Sequence, residues 1–180
     1  MTEALLYFAT GNQAKLDQLR WVARQLGCTV SIRSARQAFG DRAAYEEIGH
    51  SEAEIAQTGA LTVAAGIGVA VLAEDTGLHV SALNGRPGIR AGRYLKLHGR
   101  SGLLAELNGS HDRRAEIVSV VAYATPAGRC TVYQQRMAGQ ITHTERWTPG
   151  LPLWIAPAPE ASSGGGYNAI FVPLGETRTL

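Results

Sequence analysis

Two periods organise the hydrophobic and polar positions of this chain. Ala4-Leu5-Leu6-Tyr7-Phe8-Ala9 is an unbroken apolar run and predicts a buried strand over residues 4–9. From residue 13 the spacing changes. Ala14, Leu16, Leu19, Val22, Ala23 and Leu26 share one broad face of a helix over 13–26, and Gly27 is a stop signal. Cys28 to Ile32 predicts a short strand, and the polar, irregular residues 34–49 predict a loop or a connection between lobes. Residues 52–65 predict a second helix, which Gly59 weakens. The apolar run at 69–73 predicts a second buried strand, and the alternation over 77–82 a third. Helical patterns follow around 91–97 and 102–107. Strand patterns follow at 117–124 and 130–138, separated by the turn Thr125-Pro126-Ala127-Gly128. Residues 148–166, rich in Pro, Gly, Ser and Ala, predict a loop, and 169–172 a closing strand. Strands and helices mixed in this order imply an α/β fold with a partly antiparallel sheet.

Composition narrows the picture. At 180 residues the chain fits a single domain, and 45% hydrophobic residues suffice for a core. A net charge of +2 is too weak a bias to argue for a nucleic-acid partner. Cys28 and Cys130 lie far apart and outside any metal-ligand spacing, which argues against zinc and fits a reducing cytoplasm. No apolar run approaches membrane-spanning length, and no signal-like segment opens the chain. The five histidines are dispersed and are assigned no role.

Two segments carry chemistry. The first strand runs into Thr10-Gly11-Asn12-Gln13-Ala14-Lys15 as a helix begins. A helix N-terminus offers unpaired N–H groups to an anion. Gly11 lets backbone approach phosphate oxygens, Asn12 has an amide donor, and Lys15 reaches in as a point charge. The bland alternative is that Thr10 or Asn12 caps the helix. The second segment, Glu74-Asp75-Thr76-Gly77-Leu78, places adjacent carboxylates where a strand is expected to end at Gly77. There one carboxylate can hold Mg²⁺ and the other can orient or deprotonate water; the alternative is a solvated strand end. Together the segments suggest hydrolysis of a nucleotide phosphate. Arg86, Arg90, Arg93, Lys96 and Arg100 form a basic stretch, from which Arg90 is the candidate for an added phosphate cation. Trp147 and Trp154 suit packing, a dimer contact or stacking on a base.

These segments, with Asn84-Gly85-Arg86-Pro87-Gly88, Ala91-Gly92-Arg93-Tyr94 and Gly164-Gly165-Gly166-Tyr167-Asn168-Ala169, resemble the inosine triphosphate pyrophosphatase family, which acts on non-standard purine nucleotides. The resemblance implies an elongated mixed β-sheet with flanking helices and two lobes around a central cleft. It implies a homodimer and Mg²⁺-dependent cleavage, with Mn²⁺ as a substitute, of a nucleoside triphosphate to monophosphate and pyrophosphate. It gives Asp75 and Lys15 catalytic roles and Glu74, Glu54 and Asp75 the metal. Substrate contacts fall to Thr10, Gly11, Asn12, Lys15, Thr76, Gly77, Arg93, Tyr167 and Asn168.

Departures from the family pattern bear on specificity. A lysine becomes Gly59, a glutamate becomes Gln18, and at the base motif an aromatic becomes Gly165 and an aspartate Asn168. The sequence ends at Leu180, before the family's last helix with its base-recognition motifs. A divergent member with weakened purine selectivity is expected. The alternatives are an enzyme repurposed for another phosphorylated substrate, or a nucleotide-binding protein without catalysis.

Overall fold

The computed structural model describes residues 4–146 and 165–180. Trp147, Trp154 and nearly all of the loop expected over 148–166 lie outside the described residues.

Seven strands form one sheet. They are β1 (Ala4–Phe8), β2 (Val30–Ser34), β3 (Val71–Val80), β4 (Pro87–Gly88), β5 (Arg114–Ala124), β6 (Cys130–Ile141) and β7 (Phe171–Pro173). Their order is β2-β1-β3-β5-β6-β7, with β4 paired to β3 off that path. The helices are α1 (Gln13–Gln25), α2 (Ala35–Phe39), α3 (Glu52–Ile67) and α4 (Ala91–Glu106). The chain divides into two compact units, one of residues up to 75 with Val120–Gln134, the other of Thr76–Ser119 with the described residues from 135 onward.

The first unit starts with a parallel β1–α1–β2 crossover, in register from Ala4↔Val30 to Phe8↔Ser34. Phe8, Leu16 and Ile32 make its core, with Leu6, Leu19, Ala23, Val30 and Leu72 packed around them. β1 also runs parallel to β3 through Tyr7↔Val71 and Phe8↔Leu72. The loop after Phe8 therefore leaves at the C-terminal end of parallel strands, the usual ligand side of such sheets. α3 is sharply bounded. The Ser51 hydroxyl accepts from Glu54 N–H, and Gly68 ends the helix in the left-handed region at φ 75°.

Residues 34–49 are not simply a loop. The Ser34 side chain accepts from Gln37 N–H and starts α2, after which a 3-10 turn covers Gly40–Ala43. Gly59 does not interrupt α3. The ring of Tyr45 lies on its bare backbone, and a Cβ at position 59 would stand 2.5 Å from Tyr45 Cε2.

The strands expected at 69–73 and 77–82 are one strand. Gly77 keeps an extended backbone, and just beyond it β3 pairs with β4 through Leu78↔Gly88 and His79↔Pro87. Glu74 and Asp75 thus sit within a strand and not at its end.

In the second unit Leu78, Val80, Leu95, Leu103, Leu107, Ile141, Ile170 and Phe171 form the core. α4 breaks at Gly99, whose φ of 66° and ψ of −177° separate the two predicted helical stretches. β7 pairs antiparallel with β6, Ile141 opposite Phe171.

Candidate active site

The candidate anion loop, Thr10–Lys15, is built by its own side chains. Thr10 Oγ1 accepts from Asn12 N–H at 3.0 Å, and Asn12 Oδ1 accepts from Ala14 N–H at 3.0 Å. Asn12 is therefore the cap of α1, and its amide donors are at the other end of the same group. The first turn of α1 carries no acid, so its positive end is not neutralised there. A Cβ on Gly11 would meet nothing within 4 Å, which leaves the backbone open to approach.

One turn into α1, Lys15 Nζ lies 2.7 Å from Glu74 Oε2 on β3. Burial by itself would lower the Lys15 ammonium. The charge and hydrogen bond of Glu74, with Asp75 and Glu47 further off, outweigh it and hold Lys15 above its ordinary value. Successive strand residues face opposite ways, yet the charge of one lysine from α1 acts on both acids of β3.

Asp75 is 8% exposed, and its Oδ2 is the buried side-chain oxygen with no hydrogen-bond partner among the described residues. Burial raises its carboxyl to about 6, opposed by Lys15 and assisted by the charges of Glu74, Glu47 and Glu52. Most orphaned buried acceptors have an unseen partner. Here the surroundings carry excess negative charge, so the missing partner fits a cation. Among the described residues no three His, Cys, Asp or Glu side chains converge as a closed cage. Mg²⁺ does not need one, since it takes one or two carboxylates with waters and phosphate oxygens. The buried Asp75, with its unpartnered Oδ2, fits that requirement, whereas Glu74, its neighbour within the strand, is paired with Lys15.

Glu54 is held at the start of α3. Its Oε2 accepts from His50 N–H at 2.8 Å, and the residue closes the start of α3. The acid of the first turn of α3 whose charge acts on Asp75 is the buried Glu52, helped by Glu47. Neither was singled out from the sequence. A buried first-turn glutamate cannot be told from a capping one by spacing alone. Tyr45 was also missed. Its phenol is pushed up to about 12 by burial and by the charges of Glu47, Asp75 and Glu74, so it belongs to the same acidic group.

The sequence profile of the Ham1 family matches residues 6–180. The chain belongs to the Ham1 family. A dITP/XTP pyrophosphatase of Methanopyrus kandleri is 33% identical over 174 residues, covering 96% of this chain and 81% of that protein. A solved nucleoside-triphosphatase / dITP/XTP pyrophosphatase of Mycobacterium abscessus is 31% identical with a TM-score of 0.68, covering 97% and 84% of the two chains. The Staphylococcus aureus Ham1 protein superposes with a TM-score of 0.71 at 25% identity, again over 97% and 84%.

The remaining candidates of this Ham1-family chain lie in the second unit. Thr76 Oγ1 donates to Ser119 Oγ at 3.1 Å, and Gly77 continues β3 beside it. Arg93 is exposed on the first turn of α4. Arg90, the candidate phosphate cation, stands exposed at the N-cap of α4. Tyr167 is a core residue, 9% exposed, and its hydroxyl donates to Ala91 O at 2.9 Å. Burial raises its phenol well above the ordinary range. Asn168 is half-buried in the same turn. Arg100, 1% exposed, fixes that turn, with Nε 3.0 Å from Glu145 Oε2 and Nη1 donating to Gly166 O at 3.2 Å.

Among the described residues no helix is long and apolar enough to cross a membrane.

Proposed function

We propose that this chain is a nucleoside triphosphate pyrophosphatase for non-standard purine nucleotides of the dITP and XTP type. Water attacks the α-phosphorus, and monophosphate and pyrophosphate leave. The observation that carries this reading is the orphaned, buried Oδ2 of Asp75 beside the Lys15–Glu74 pair. Asp75 orients the attacking water and accepts its proton. Lys15 neutralises phosphate oxygens, and the Gly11–Asn12 backbone at the start of α1 receives the polyphosphate. Glu74 and Asp75 would hold Mg²⁺, which supplies charge neutralisation and activation of water when bound. Glu54 has its carboxylate on the helix cap, so any share it takes in the metal runs through that cap.

Base discrimination is relaxed. The hydroxyl of Tyr167 is committed to Ala91 O, so Asn168 is the other candidate polar side chain of that turn. Strong rejection of a wrong base needs several buried polar partners that it would leave unpaired. The test is kcat/KM for inosine, xanthosine, adenosine, guanosine and cytidine triphosphates with Mg²⁺, assaying pyrophosphate separately from phosphate. Release of pyrophosphate with an inosine-over-adenosine ratio below about 10² is expected. Release of single phosphates overturns the reaction, and a higher ratio overturns the relaxed readout.

The same reading carries a cytoplasmic homodimer. Exposed Val132, Tyr133 and Met137 on β6 support a partner surface. Sedimentation equilibrium at monomer mass would remove it.

A further inference from the structure

We infer that Tyr45 contacts the substrate, its hydroxyl donating a hydrogen bond to a phosphate oxygen beside Lys15 and Asp75; this rests on the nucleotide reading above. The residue comes from the segment between the 3-10 turn and α3. Its ring is pinned at the hydroxyl-bearing end, because the atoms closest to a Cβ at Gly59 are Cε2 at 2.5 Å and Cζ at 2.8 Å. Only a bare helix backbone allows that approach. The hydroxyl then points to the end of β1, 3.5 Å from Ala9 O. Ala9 is the residue before the Thr10–Asn12 loop and is itself bound to β3 through Leu72 O at 2.7 Å. The phenol thus stands where β1, β3 and the anion loop meet.

Chemistry favours a donor role. Burial and the nearby Glu47, Asp75 and Glu74 keep the phenol protonated across the working pH range. A neutral donor among carboxylates adds no repulsion toward a phosphate and needs no counter-ion. Its bond to Ala9 O is at the outer limit of hydrogen-bond length, so that acceptor holds the proton weakly. Such bonds are commonly long before substrate arrives and tighten in the complex. A purely packing role for the ring makes a different prediction, because packing does not need the hydroxyl.

Tyr45→Phe separates the two. It keeps the ring on Gly59 and removes only the O–H. Expected are an unchanged melting temperature and a kcat/KM for deoxyinosine triphosphate lower by about 10-fold or more, the scale of a hydrogen bond to a charged group. Thermal stabilisation by inorganic pyrophosphate should also be smaller in the variant. Tyr45→Ala should lower the melting temperature as well, since it removes the ring. Wild-type kinetics and equal stabilisation by pyrophosphate in Tyr45→Phe overturn the inference. If the wild-type protein hydrolyses no nucleoside triphosphate, the proposed function falls, and the pyrophosphate comparison still decides the role of Tyr45.

Discussion

Under the proposed function, Asp75 couples activity to stability with opposite signs. Its carboxyl sits at about 6 in the folded chain, above the 3.8 of an unperturbed aspartate. The folded state therefore binds this proton more tightly than the unfolded state. The contribution of this carboxyl is intact below about pH 4 and is lost as pH rises through about 4 to 6, by up to about 3 kcal/mol above that window. Asp75→Asn removes the penalty. In metal-free buffer its melting temperature should match wild type near pH 4 and exceed it at pH 7.5, while kcat drops at least about 10²-fold. Thermal melts at the two pH values and one kinetic assay check both halves, and a destabilised variant at pH 7.5 would contradict them. Lys15→Ala should raise KM and lower kcat/KM with less than about 1 kcal/mol lost, since the Lys15 side chain is 35% exposed and water screens the pair. Denaturant melts and initial rates check it. Lys15, Glu74 and Asp75 were legible because chain-local chemistry names them: a loop before a helix, and paired acids after an apolar run. Glu52 and Tyr45 were not, because nothing local says that a first-turn glutamate turns inward or that a distant ring settles on a helix.

At the scale of elements, the glycines misled most. Gly77 resembles a strand end, yet β4 pairs just beyond it and carries β3 on to Val80. Gly59 resembles a weak point of α3, yet it is a seat for Tyr45. Both outcomes depend on a partner brought from elsewhere in the chain, which periodicity cannot supply. Elements with a strong internal period, such as α1 and the crossover to β2, were legible to within two residues at each end. The seat makes a prediction. Gly59→Ala suits a helix by propensity, by roughly 1 kcal/mol, but drives a methyl into the Tyr45 ring. Overpacking of this kind costs about 1–3 kcal/mol, so a net loss of stability is expected in denaturant melts. A gain would mean that the ring moves aside freely.

At the scale of the whole molecule, the mixed sheet was legible in the succession of strand and helix patterns. The closing strand was legible, displaced by two residues at its start, but the long-range ties that hold the last residues were not. From Gly165 to Leu180 the chain is fixed by many of them. Ile170 and Phe171 are fully buried. Thr142 N–H bonds Ile170 O at 2.8 Å, and Arg146 N–H bonds Ala169 O at 2.8 Å. Arg100 joins Glu145, on one side of residues 147–164, to Gly166 on the other. The covalent link between Arg146 and Gly165 is thus duplicated by noncovalent ones. Burying two large apolar side chains alone supplies about 3–6 kcal/mol toward holding the tail. Cleavage within 147–164 is therefore expected to leave the fragments associated: a protease site inserted there should give two fragments that co-elute under native conditions and separate in denaturant, and separation under native conditions would show that the ties are too weak.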